Sequence, residues 1–332
     1  MQILAGTGKG IFTIEAGEVR QTLESRGVRE LIRCGQRLFA GTGNGLYVSE
    51  DQGETWQLTG LDGLEVWQLR QAADGTLYAG TQPAGLYRSA DSGRSWQSVD
   101  SFTRAPGADR WCIPVEPPLP GRARALVLDA KDPNRIRVGV EVGGILCSDD
   151  AGASWTLVQP GDNPDLHMLV AHPENPDELY ASTGYGRFDG VADMIEGNAG
   201  VFRSTDGGHS WDYVWQGITP RYSRPLCIDS QPPYALTVAS APTAFSSFRD
   251  ADGAGAMLFQ TEDGGAHWRS LCDTDHSPSA ANLHGLSPDP ESSGGVLVGT
   301  DTGEVWRVSP AAEWTLLGSG MPVVLAVLGL AA

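Results

Sequence analysis

The chain has 332 residues, rich in Gly (43) and Pro (21), and its 23 Lys+Arg against 41 Asp+Glu give a formal net charge of −18. That charge repels phosphate backbones and anionic lipid at long range, which predicts neither a nucleic-acid partner nor membrane insertion. Abundant turn formers between short apolar runs predict an all-β chain of brief strands, read as a single domain over residues 1–332.

In chain order, each unit repeats an apolar alternating run, a Leu-Tyr-Ala-Gly-Thr-like strand and a Gly-Leu-Tyr-x-Ser strand. Second strands are expected at 3–7, 38–42, 77–81, 136–140, 179–183, 234–239 and 296–300, and seven such units with four strands each predict a seven-bladed β-propeller of four-stranded antiparallel blades. Five units continue into one phrase, Ser/Thr-x-Asp-x-Gly-x-x-Trp, around Asp51, Asp91, Asp150, Asp206 and Asp263. Its Asp can hydrogen-bond the backbone ahead, its Gly can take positive φ, and its Trp can anchor the returning strand, so these five Asp are read as structural. Units one and seven keep only remnants, at 14–17 and 309–314. Unit one also begins at its second strand. The apolar segment 322–330 is expected to supply the missing innermost strand and close the ring, leaving no open sheet edge.

The repeated phrase resembles the Asp-box, or bacterial neuraminidase repeat, of sialidase-like β-propellers, a group that extends to photosystem II assembly-factor-like proteins and glycosyl hydrolase-like repeat proteins. The resemblance covers the repeat units and implies that the boxes are hairpin turns remote from the ligand. Sialidases carry an Arg-Ile-Pro signature in blade one; that blade has none here, so by motif the chain is not a true sialidase. In a propeller, second-to-third-strand loops and blade-to-blade connections share the face opposite the boxes. The long segments 185–199, 241–255 and 101–122 are therefore expected to crowd one mouth of the channel, where function concentrates.

Aligning the innermost strands on a shared Leu (Leu31, Leu69, Leu126, Leu169, Leu226, Leu286 and Leu325) places Arg29, Trp67, Arg124, His167, Arg224, His284 and Val323 in one column at the channel rim. Guanidinium forks suit carboxylate or phosphate, so the first six, with Tyr222, are predicted to bind an anionic or carbohydrate-like ligand. If the histidines carry charge, binding weakens as pH rises through the imidazole range. The loops add Arg104, Asp109, Arg110, Trp111, Arg122, Arg187, Asp189, Asp193, Glu196 and Arg221. The competing structural reading has these side chains bracing acidic neighbours, with carboxylates such as Glu141 or Asp189 consuming the arginines.

The five cysteines are odd in number and widely spaced, without a Cys-x-x-Cys pair, and no leader-like segment precedes the first strand; a cytoplasmic location is expected. No His/Cys/carboxylate spacing suggests a metal, and no cofactor is expected. The first functional reading is a non-catalytic ligand- or protein-binding propeller. The alternatives are a carbohydrate-active glycoside hydrolase or lyase, with no catalytic residue assigned, and an assembly factor for another protein.

Overall fold

A computed structural model of the chain describes residues 1–185 and 198–331. Seven four-stranded antiparallel sheets form in sequence order, each running from an inner to an outer strand, and make a seven-bladed β-propeller. The Leu-Tyr-Ala-Gly-Thr strands are among the most buried, as at Leu77–Gln82 and Leu179–Thr183, because a second strand is covered by the adjacent blades on both faces. Their apolar residues join those of the neighbouring blade in one cluster, as Phe39, Leu69 and Leu77 do. In blade six the second strand is Leu236–Ala241, two residues later than expected.

The C-terminal strand Val324–Leu330 pairs antiparallel with Gln2–Thr7, from Gln2 opposite Leu330 to Thr7 opposite Val324, and completes blade one. Val324, Val327 and Leu330 are buried and the residues between them partly exposed; the register shift at Leu325 brings Val324 and Val327 to one face, where they pack with Ile3 and Ala5, while Leu330 packs with Leu4 and Leu31.

At each Asp-box one carboxylate organises the turn. Asp51 Oδ1 accepts from Thr55 N at 2.9 Å and from Ser49 Oγ at 2.8 Å, Ser49 Oγ accepts from Gly53 N at 2.8 Å, and Gly53 O accepts from Trp56 Nε1 at 3.1 Å. Gly53 has φ 91°, where a side chain would be strained. The same carboxylate bonds surround Asp91, Asp150, Asp206 and Asp263, while the indole N–H reaches the box Gly carbonyl from Trp96 and Trp211 but goes to Ser101 Oγ from Trp155 and to Val214 O from Trp268. The carboxylate bonds favour the charged form and hold each of the five carboxyls down at about 2.

Candidate functional site at the channel mouth

Five positions of the aligned column are β-bulges, and Arg29 alone of the predicted ligand residues in it lies beside a ladder without a register shift. Register shifts fall between Val66 and Gln68, Ala123 and Ala125, Leu166 and Met168, Ser223 and Leu226, and Leu283 and Gly285. The unpaired residues are Trp67, Arg124, His167, Arg224 (with Pro225) and His284. A bulge re-aims a side chain out of the pleat, which lets an inner strand present a large polar group where regular alternation would not. In the last strand the shift leaves out Leu325, and Val327 stands opposite Ala5 as Leu31 stands opposite Ala40. The aligned residue of that blade is therefore Leu325, not Val323. The two-residue error arose because Val replaces the shared Leu and a step of two keeps the same face inward.

Two adjoining hollows open here. One, of about 210 Å³, is lined by Arg29, Trp67, Arg122, Arg124, Arg224 and His284, with Glu141 and Leu325 among its other walls. The second, of about 190 Å³, holds Asp165, Tyr185, Tyr222 and Phe245, and shares Arg122, Glu141 and Arg224 with the first. Those three residues form the wall between them. His167 is fully buried behind it.

The arginines have partners of different kinds. Arg29 Nε bonds Glu65 Oε1 at 2.6 Å, while Arg124 and, at 3.3 Å, Arg122 share Glu141 Oε2. Arg224 donates to the neutral carbonyl of Ala244 and has no carboxylate partner among the described residues. Positive charge is therefore in excess at this wall. The guanidinium carbons of Arg29, Arg122 and Arg124 lie 4.0, 4.5 and 5.1 Å from the Trp67 ring centroid, which stacks the cations on its electron-rich faces. Trp67 Nε1 and Arg122 Nε are buried donors without a hydrogen-bond partner among the described residues. Burial and then Arg224, Arg29 and Arg124 push His284 down to about 3, so its imidazole is neutral across the range in which it was expected to carry charge.

Behind the wall, three inner and second strands bring Glu141, the Asp165–His167 pair and Tyr222 together from different blades. His167 Nδ1 lies 2.6 Å from Ser223 O, a pure acceptor, which assigns the proton to that nitrogen. Its Nε2 faces Asp165 Oδ1 at 3.3 Å, Tyr222 OH at 3.2 Å and Glu141 Oε1 at 4.0 Å. One ligating atom each of Glu141, Asp165 and His167 falls within 4.8 Å of the others, a separation that meets the distance requirement of a metal site. The guanidinium groups of Arg122 and Arg124 against Glu141 oppose a cation there and outweigh the burial that would otherwise raise this carboxyl, holding it well below the usual carboxylate range. Burial and the Asp165 charge push the Tyr222 phenol up, so it is a hydrogen-bond donor and not a phenolate. Gly184 makes room for this trio: a Cβ there would stand 2.3 Å from Asp165 Oδ2, 2.5 Å from Tyr222 Cε2 and 2.6 Å from His167 Cε1.

Of the loop residues singled out in the sequence, Arg122 and Tyr222 reach the site. Arg104, Asp109 and Arg110 are exposed. Trp111 packs on Phe102 at 5.0 Å, and Arg221 lies over Trp215 at 4.1 Å. Arg187, Asp189, Asp193 and Glu196 fall outside the described residues. Asp165 and Gly184 were not foreseen. Asp165 stands two residues before His167 of the rim column, the one signal that pointed to it.

Comparison with known proteins agrees with the repeat and the fold. The BNR/Asp-box repeat family model matches residues 47–58. A xyloglucanase of Hypocrea jecorina is 27% identical over 252 residues, covering 74% of this chain and 24% of the relative. The chain thus spans about a quarter of that relative's length. Among solved structures, the GH74 xyloglucanase from Xanthomonas campestris superposes with a TM-score of 0.62 at 17% identity, over 95% of this chain and 46% of that one. YCF48 bound to D1 peptide superposes with a TM-score of 0.55 at 15% identity, over 87% of this chain and 81% of that one. These structural likenesses show the propeller fold. The expectation of a non-catalytic binding propeller is corrected by the curated match: that relative is named as a xyloglucanase, which favours the carbohydrate-active alternative. Among the described residues no helix is long and apolar enough to cross a membrane.

Proposed function

We propose that this seven-bladed Asp-box propeller serves as, or forms part of, a carbohydrate-active glycoside hydrolase whose reaction takes place at the long-loop mouth of the channel. The observation that carries the proposal is the buried pair of carboxylates, Glu141 and Asp165, opening into the second hollow beside Tyr222 and the His167 imidazole. Glycoside hydrolysis at a carboxylate pair this close, with oxygens within 4.8 Å, has one group protonate the oxygen of the departing sugar as the glycosidic C–O bond breaks while the other bonds to the anomeric carbon, a bond that water then hydrolyses as the first group takes back a proton. Glu141, kept ionised by Arg122 and Arg124, suits the second task, and Asp165 the first. The curated xyloglucanase relative supports the carbohydrate class.

The ligand is proposed to be anionic at one end, because the first hollow has more guanidinium than carboxylate. A carboxylate supplies acceptors only and neutralises that excess.

The test is release of reducing ends from xyloglucan and from a glucuronic acid-bearing xylan. The wild-type chain should cleave at least one, with the acidic glycan preferred, and Glu141→Gln and Asp165→Asn should each lower kcat by about 100-fold or more, in the range of lost acid–base catalysis. Variants that fold normally and retain full turnover would overturn the assignment, as would a wild-type chain that cleaves neither glycan.

A further inference from the structure

Phe245 is 73% exposed, yet its loop is held at several points. Ala244 O accepts from Arg224 Nη2, Phe245 N donates to Thr243 Oγ1 at 3.1 Å, and Thr243 N donates to Ser246 Oγ at 3.1 Å. Further along, Ser246 O accepts from Asn282 Nδ2, and Phe248 N donates to Asp301 Oδ2 at 3.1 Å. An aromatic ring kept in water on a tethered loop contributes little to folding and leaves apolar area available for a partner. It lines the second hollow, where Val115 is also exposed, and that hollow meets the arginine-lined one across Glu141.

We propose that the two hollows are successive subsites of opposite character: a carboxylate-bearing sugar occupies the arginine-lined hollow, and the neutral sugar linked to it lays the apolar face of its ring on Phe245. The linkage between them then crosses the wall at Glu141, within reach of the carboxylate pair. Phe245 thereby determines specificity for the second sugar without touching the first. Arg224 serves both hollows, since it adds charge to one and fixes the carbonyl next to Phe245 in the other. The inference rests on the hydrolase reading for the identity of the site, but the subsites bind whether or not the bond is cleaved.

Titration calorimetry with two probes separates these cases: glucuronic acid, which fills the first subsite alone, and a sulfur-linked disaccharide of glucuronic acid and xylose, which spans both and resists hydrolysis. In the wild-type protein the disaccharide should bind more tightly than the monosaccharide. Phe245→Ala should weaken the disaccharide about five- to tenfold, the scale of one aromatic contact, and leave glucuronic acid unchanged. Phe245→Trp should restore the disaccharide. Equal loss for both probes, no loss for either, or failure of both to bind the wild-type chain overturns the two-subsite arrangement, the last outcome pointing to a protein partner for the exposed ring. Failure of the hydrolase reading shows separately, as an intact oxygen-linked disaccharide after incubation with a protein that passes the binding test.

Discussion

At the scale of single residues, the site depends on groups whose state is set by their neighbours. His284 is the clearest, because burial and then Arg224, Arg29 and Arg124 favour its neutral form. Its pKa in the folded chain, about 3, lies below the ordinary 6.5, so the unfolded chain binds the proton first and stability is lost as pH falls from about 6.5 towards 3. His284→Gln should therefore flatten the acid limb of the stability curve in that window, measured as denaturation midpoint against pH. An unchanged limb would mean that His284 titrates normally. Gly184 sets a steric condition. Gly184→Ala should displace Asp165, His167 and Tyr222 and depress turnover more than it depresses the melting temperature, and a fully active variant would show that the trio tolerates the shift.

At the scale of elements, the five Asp-box turns lie on the face opposite the site and act through the fold. Asp150→Ala should lower the melting temperature through the lost turn bonds while leaving sugar affinity intact, and lost affinity in a stable variant would place the boxes at the site. The closing strand carries more. Val324 is fully buried against Gly299, whose Cβ would come within 2.4 Å of it, so Val324→Asp places an unpaired charge in the blade-one core and should prevent folding or cost several kcal/mol. A variant with wild-type melting would show that the ring does not depend on this strand. These elements were legible because turn chemistry and strand alternation are local: Gly53 and Trp56 announce a box from within eight residues, and the apolar run at 322–330 announces a strand. The bulge column was legible at Trp67, Arg124, His167, Arg224 and His284 because each keeps the shared Leu, and it slipped at Leu325 where Val327 replaces that Leu. Gly184 and the meeting of Tyr222 with His167 were not legible, since they arise where different blades meet and no spacing along one chain encodes that distance, whereas Glu141 was already the carboxylate named against the arginines and Asp165 stands two residues before His167.

At the scale of the molecule, a chain of net charge −18 sets Arg29, Arg122, Arg124 and Arg224 together at one mouth, so the site sits as a positive point in a negative surround. The surrounding charge repels an anionic ligand at long range while the mouth attracts it at short range. Added salt screens both, and because a contact pair at a partly exposed site is screened less than the diffuse surround, affinity for glucuronic acid should fall only gently with ionic strength. A steep fall would mean that the arginines act from a distance and not in contact. The most direct test of the central claim is a crystal structure of Asp165→Asn soaked with an oxygen-linked glucuronic acid–xylose disaccharide. The account predicts the carboxylate among Arg29, Arg124 and Arg224, the linkage beside Glu141 and the xylose on Phe245; sugar bound on the Asp-box face, or a mouth that stays empty at saturating ligand, would contradict it.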